Sequence, residues 1–276
     1  MIHPDGTDDH EVALDVPGDH LHPDWSPDGS RLVITSREEK DTLYELDVTT
    51  DAARKLWDCA DPCVGDDEAV WSPDGSQIAF IRAIGPVQNG VPADCSLWLG
   101  DPETGEVQRL TSTPGCTYRE TFPHWSRDGT RIAYYRGVYE DNGATTATAL
   151  YVLDVATGQE TKLTDDALFA GDSDWSADDE WLIFSTYPLN DFQCCFVSNL
   201  YRVHPDGTGL EQLTTYTDVD LRATQPRYTP DGESILFTAV SEGSRELWVM
   251  PADGGEPIVV SPGGIYTHGT WQPAGA

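Results

Sequence analysis

Short apolar runs recur along the chain, alternating in and out as half-buried strands do, and turn residues separate them. Each of the clearest runs follows one motif: an aromatic residue, Ser or Thr, and a turn containing Asp-Gly. Trp25-Ser26-Pro27-Asp28-Gly29 precedes the apolar run in Arg31–Ser36, and Trp71-Ser72-Pro73-Asp74-Gly75 precedes Gln77–Ile81. Trp125-Ser126-Arg127-Asp128-Gly129 precedes Arg131–Tyr135. Looser copies begin at Trp175, where Asp179 replaces the glycine, and at Tyr228, and a shortened one begins at Trp271. Successive aromatics are 46, 54, 50, 53 and 43 residues apart. A period near 50 built only from short strands predicts a β-propeller rather than a helical solenoid.

Within each repeat, a second apolar run such as Leu43–Asp47, Leu97–Asp101 or Leu150–Asp154 leads into a Gly-containing turn and a short closing segment such as Val107–Thr111. Four strands per repeat give four-stranded antiparallel blades, with Gly supplying the positive φ that tight hairpins require. No stretch longer than a turn has helical periodicity, so the expectation is one all-β domain over residues 1–276. The opening Ile2–Thr7 mirrors Val203–Thr208, and Thr270–Pro273 reads as a first strand. A sixth blade therefore draws on both ends of the chain, and its second strand has no sequence to provide it. Either the natural product extends upstream, or that blade has three strands.

The motif Trp-Ser-Pro-Asp-Gly followed by Ile-Ala-Phe, then Leu-Tyr-Val-x-Asp and a closing Leu-Thr, resembles the repeat of TolB-type six-bladed propellers. The resemblance spans essentially the whole chain and implies a six-bladed ring. It leaves function open: such propellers serve as binding platforms, as non-catalytic domains of peptidases and, in some cases, as enzymes.

Charge narrows the field. Sixteen basic against 48 acidic side chains give a net charge of −32, which argues against nucleic-acid binding. Lys40, Lys55 and Lys162 are the only lysines. Such a surface fits either adaptation to high salt or simply an acidic protein. No apolar run is long enough to span a membrane. The six cysteines, Cys59, Cys63, Cys95, Cys116, Cys194 and Cys195, match no zinc or redox spacing. They point to disulfides and a periplasmic, cell-surface or secreted setting, with any signal sequence upstream. The expected bridges are Cys59–Cys63 and Cys95–Cys116.

No Gly-x-Ser-x-Gly, phosphate-cradling loop or His-Glu-x-x-His occurs. In propeller topology the connectors leading into first strands share a face with the loops between second and third strands. That face collects His20, His22, Asp24, His124, Asp172, Asp174, Arg222, Arg227 and His268 near the channel mouth. Its longest insertions are residues 83–94, 137–148 and 186–198, whereas the Asp-Gly face has turns too short to shape a pocket. Two readings follow. In the first, a monomeric, non-catalytic propeller without cofactor binds a protein or peptide through Tyr139, Tyr187, Phe192, Phe196, Arg222 and Arg227. In the second, His22, His124 and His268 hold a divalent metal for a lyase or hydrolase, resembling oligogalacturonate lyases in fold and residue type. Screening of the net charge should raise the melting temperature between low and molar sodium chloride; a melting curve indifferent to salt would count against salt adaptation.

Overall fold

The computed structural model describes residues 15–87, 92–112, 118–139, 145–186, 197–217, 221–241 and 244–264. Blade one is β1 (Asp19–Trp25), β2 (Arg31–Arg37), β3 (Thr42–Asp47) and β4 (Ala52–Lys55). Blade two is β5 (Cys63–Trp71), β6 (Ile78–Ile84), β7 (Asp94–Gly100) and β8 (Val107–Arg109). Blade three is β9 (Tyr118–Trp125), β10 (Arg131–Tyr139), β11 (Thr145–Asp154) and β12 (Glu160–Lys162). Blade four is β13 (Ala170–Trp175), β14 (Leu182–Thr186), β15 (Leu200–Val203) and β16 (Glu211–Gln212). Blade five is β17 (Arg222–Tyr228), β18 (Ser234–Ser241), β19 (Ser244–Pro251) and β20 (Ile258–Gly264). Every blade is an antiparallel meander whose strands pair in chain order.

The described residues thus form five blades rather than the expected six. The segments assigned to a sixth, residues 1–14 and 265–276, lie outside the described residues. The insertion expected at 137–148 is largely not a loop. Gly137 pairs with Thr148 and Val138 with Ala147, so it lengthens the β10–β11 hairpin. The β-branched threonines of Thr145–Thr148 suit that extended state. Among the described residues no helix is long and apolar enough to cross a membrane.

The repeated aromatic fills the seam with the preceding blade. Trp71 packs with Val33 and Leu43, Trp125 with Ile81 and Leu97, Trp175 with Leu150 and Val152, and Tyr228 with Ile183 and Leu200. Arginines six residues after two of these aromatics reach the next blade: Arg31 stacks over Trp71 at 4.6 Å and Arg131 over Trp175 at 4.7 Å. Ser and Asp of the motif close the hairpin turn. Ser26 Oγ donates to Asp28 Oδ1 and accepts from Arg31 N, and the pattern returns at Ser72, Ser126, Ser176 and Thr229.

The Cys59–Cys63 bridge is formed, in the connector to blade two. Cys95 is buried on β7, while Cys116, Cys194 and Cys195 lie outside the described residues.

The irregular fourth motif has a physical reason. Asp179 takes the left-handed conformation of the missing glycine, φ 59°. Its carboxylate accepts from Arg127 N at 2.7 Å and Asp128 N at 2.9 Å, clamping the turn of blade three. Asp179→Ala keeps the strained backbone and loses both bonds, so it should cost about 1–2 kcal/mol and lower the melting temperature by a few degrees. Asp179→Gly relieves the backbone and should cost less. Equal melting of Asp179→Ala and wild type would show that the clamp contributes nothing.

Candidate functional site

Two stacked rings of side chains line the central channel. Each innermost strand carries a β-bulge just before the motif aromatic, at the same place in β1, β5, β9 and β17 and one residue earlier in β13. Prolines at Pro23, Pro123 and Pro226 fit there because a bulge residue can do without a ladder N–H. The residue before each of these prolines, together with Glu68 of blade two, has positive φ: His22 49°, Glu68 55°, Phe122 51° and Gln225 55°. Non-glycine residues adopt this conformation at a cost of about 1–3 kcal/mol each, and such strain concentrates at functional sites. These residues, three before the motif aromatic, form the mouth ring, with Asp172 in the same register on blade four. The residue immediately before the aromatic forms the deeper ring: Asp24, Val70, His124, Asp174 and Arg227.

At the mouth, a cavity of about 40 Å³ lies among His22, Asp24, Glu68, Phe122, His124 and Arg227. His22 Nδ1 donates to Asp67 Oδ1 at 2.8 Å, and the His22 ring meets Phe122 edge-on at 5.4 Å. Phe122 stacks on Tyr135. Ligand atoms of His22, Asp67 and Glu68 lie within 4.8 Å of one another. Below the mouth, a cavity of about 420 Å³ extends to the Asp-Gly turns, rimmed by Pro27, Pro73, Ala177 and Pro230. The expectation that this end has no pocket is therefore corrected. The turns are short, but their convergence around the channel axis shapes a cavity that no single turn could.

Electrostatics divides the channel. Burial opposes charging of His22, but its bond to Asp67 and the charges of Asp67, Glu68 and Asp172 raise its pKa. On the other side, burial and then Arg227 and Arg127 hold the His124 imidazole well below its usual value, hence neutral. Burial pushes the Asp24 carboxyl up to about 7, against the bond from Trp71 N and the charge of Arg227. Glu68 is likewise raised to about 7 by burial, then by Asp67.

The sequence candidates separate accordingly. His22, Asp24, His124 and Arg227 converge on the channel, whereas the His20 ring bonds the nearby Val16 carbonyl. Arg227 is an interior residue whose Nη1 donates to the Pro226 carbonyl at 2.8 Å and the Ser173 carbonyl at 3.3 Å. Arg222 lies apart, on the loop-bearing end of blade five. His268, Tyr187, Phe192 and Phe196 lie outside the described residues, and of Tyr139 only the backbone, at the end of β10, is described. Sequence reasoning missed Asp67, Glu68 and Phe122. Counting three residues back from each motif aromatic would have found Glu68 and Phe122.

Glu68 generates a pH test. Its folded pKa exceeds the unfolded value, so the folded state holds the extra proton, and its contribution to stability falls as pH rises from about 4 to about 7. Glu68→Gln keeps an oxygen for Phe122 N, which bonds Glu68 Oε2 at 2.6 Å, and removes the buried charge. The variant should melt higher than wild type at pH 8 and nearly equally at pH 4.5. A wild-type advantage at pH 8 would mean that the charged form is the stabilised one.

Known proteins match this architecture. The chain is 28% identical over 265 residues to an uncharacterized protein of Agrobacterium fabrum, an alignment covering 92% of this chain and 81% of that protein. A protein from Agrobacterium tumefaciens assigned to TolB superposes with a TM-score of 0.68 at 22% identity, covering 89% of this chain and 81% of that one. An oligogalacturonate lyase in complex with manganese superposes with a TM-score of 0.61 at 18% identity, covering 85% of this chain and 63% of the lyase. At these identities the structural likenesses establish the fold alone. The family described as the TolB beta propeller domain matches residues 121–276, more than half of the sequence; the chain belongs to that family.

Proposed function

We propose that this propeller is a non-catalytic binding module that recognises a protein or peptide partner through its channel mouth and the loops around it. The size and lining of the mouth carry the reading. A cavity of about 40 Å³ takes one small group of a partner rather than enclosing a substrate. One wall sets an aromatic face, Phe122, beside the Glu68 carboxylate, which suits a basic side chain or an N-terminal ammonium, while Asp24 faces it from the opposite wall beside Arg227. Tyr139, at the end of β10, and Tyr187, Phe192 and Phe196, in the sequence between β14 and β15, are the aromatic anchors of this reading. The Cys59–Cys63 staple, also on that side, restrains a connector and supports an extracytoplasmic setting. In this reading residues 1–14 and 265–276 contribute strands to a sixth blade, which lacks a second strand from this sequence.

A second reading rests on His22, Asp67 and Glu68. An imidazole held by a carboxylate beside a second carboxylate is a donor set suited to a divalent cation. This set differs from the histidine trio His22, His124 and His268, because His124 lies beside Arg127 and Arg227. A bound cation would supply Lewis acidity for a lyase or hydrolase at the mouth.

Fluorescence polarisation with short peptides bearing Lys or Arg at the N-terminus, internally or not at all tests the first reading. Basic peptides should bind, and Phe122→Ala and Glu68→Gln should each weaken them about tenfold. Asp179→Ala, at the opposite end, should leave binding unchanged. Loss of binding on altering the Asp-Gly turns, with the mouth variants neutral, would place recognition on the wrong face. Elemental analysis of the purified chain addresses the second reading: a stoichiometric metal lost in His22→Ala would favour the enzyme.

A further inference from the structure

Among the described residues, arginines without an ion pair gather on blade five. With 48 acidic against 16 basic side chains, an arginine finds a carboxylate almost anywhere on the surface. Most do: Arg31 and Arg54 pair with Glu45, Arg82 with Asp66, Arg136 with Glu120, and Arg202 with Glu211. Arg222 and Arg245 form no ion pair among the described residues.

Strand register brings these two together. Arg222 opposes Val240, and Val240 opposes Arg245, so the three form one row across β17, β18 and β19. Directly opposed residues share a face, which puts both arginines on the same side with backbones roughly 10 Å apart, two strand spacings. Thr224 and Thr238 form the next row on that face. With Gln225 these residues line a cavity of about 170 Å³. The carboxylate next in sequence, Glu246, does not serve Arg245; it accepts from Trp248 Nε1 at 3.0 Å. The backbone beside Arg222 is pinned to blade four, since Ala223 N donates to the Ser198 carbonyl at 3.1 Å and Ser198 Oγ donates to the Ala223 carbonyl at 2.6 Å. Thr238 Oγ1 donates to Gln225 Oε1 at 3.4 Å.

We propose that this cavity is a binding site for a phosphate-class dianion, taken either as the free ion or as a monoester. Two guanidinium groups over one small cavity repel each other unless an anion lies between them. Their paired charge matches a dianion, and guanidinium forks fit phosphate oxygens bidentately. The strong negative field of the rest of the molecule repels anions, so a site with two arginines that form no ion pair among the described residues is where a dianion gains most. Although Gln225 also belongs to the mouth ring, the two cavities share no lining residue, and the site stands independently of the peptide reading.

Isothermal titration of the full chain with inorganic phosphate, at fixed molar sodium chloride, should give saturable one-to-one binding. Arg222→Gln and Arg245→Gln should each weaken it at least about tenfold, and the double variant should abolish it, with near-UV circular dichroism unchanged. Arg37→Gln, on blade one, should bind like wild type. Competition by glycerol phosphate identifies a monoester as the ligand form, and binding of inorganic phosphate without such competition identifies the free ion. Absence of saturable binding, or binding that survives in the folded double variant, overturns the site. Acetate competing as well as phosphate overturns the dianion assignment.

Discussion

The ring depends on how the innermost strand of each blade satisfies backbone N–H groups that its own sheet leaves over. Carboxylates from a neighbouring blade do this for β5, β9 and β17. Asp24 Oδ2 accepts from Trp71 N at 2.8 Å, Glu68 Oε2 from Phe122 N at 2.6 Å, and Asp174 Oδ2 from Tyr228 N at 2.8 Å. Further from the axis, Glu120 Oε2 accepts from Leu97 N at 2.9 Å while its other oxygen pairs with Arg136. A buried N–H left without a partner costs about 1–3 kcal/mol, so each stitch matters to the seam it crosses. The apolar clusters hold neighbouring blades face to face, and the carboxylates fix their alignment along the axis.

The same constraint shapes the channel. A carboxylate placed to reach the next blade must sit on the channel wall, where burial disfavours its charge; Asp24 and Glu68 both rise to about 7 in consequence. Arg227 and Arg127 compensate on the far side, beside Asp24 and Asp174. The channel is thus polarised, with His22, Asp67 and Glu68 on one wall and the arginines with neutral His124 on the other. A mouth with carboxylates and an aromatic on one side is a by-product of ring assembly that is also suited to recognition.

Surface charge and specific pairing play different parts. Arg82 with Asp66 is buried and doubly bonded, at 2.7 and 2.8 Å, and so anchors β5 to β6. A recurring set of turn aspartates is held charged by backbone and hydroxyl donors; Asp28, bonded by Ser26 and Ser30, falls to about 2. The interior acids Asp24, Asp66, Glu68, Glu120 and Asp174 are individually partnered.

Some of this was legible in the residues themselves. The aromatic–Ser–x–Asp–Gly motif encodes its own hairpin turn through bonds no more than five residues apart, so the blades, their strand number and their period could be read locally. The Cys59–Cys63 bridge was legible for the same reason, since its partners are four residues apart. The blade-three insertion was misread because its threonines look like loop residues until a partner strand stands opposite. What only the tertiary structure decided is which residues meet across blades: Asp67 and Glu68 beside His22, Asp179 on the turn of blade three, Arg222 across a strand from Arg245. Those partners are separated by tens of residues or by a strand register, and the bulge that aims the mouth ring is a property of the folded sheet. Periodicity fixes a blade, but ring closure fixes the angle between blades, and the site lies where those angles converge.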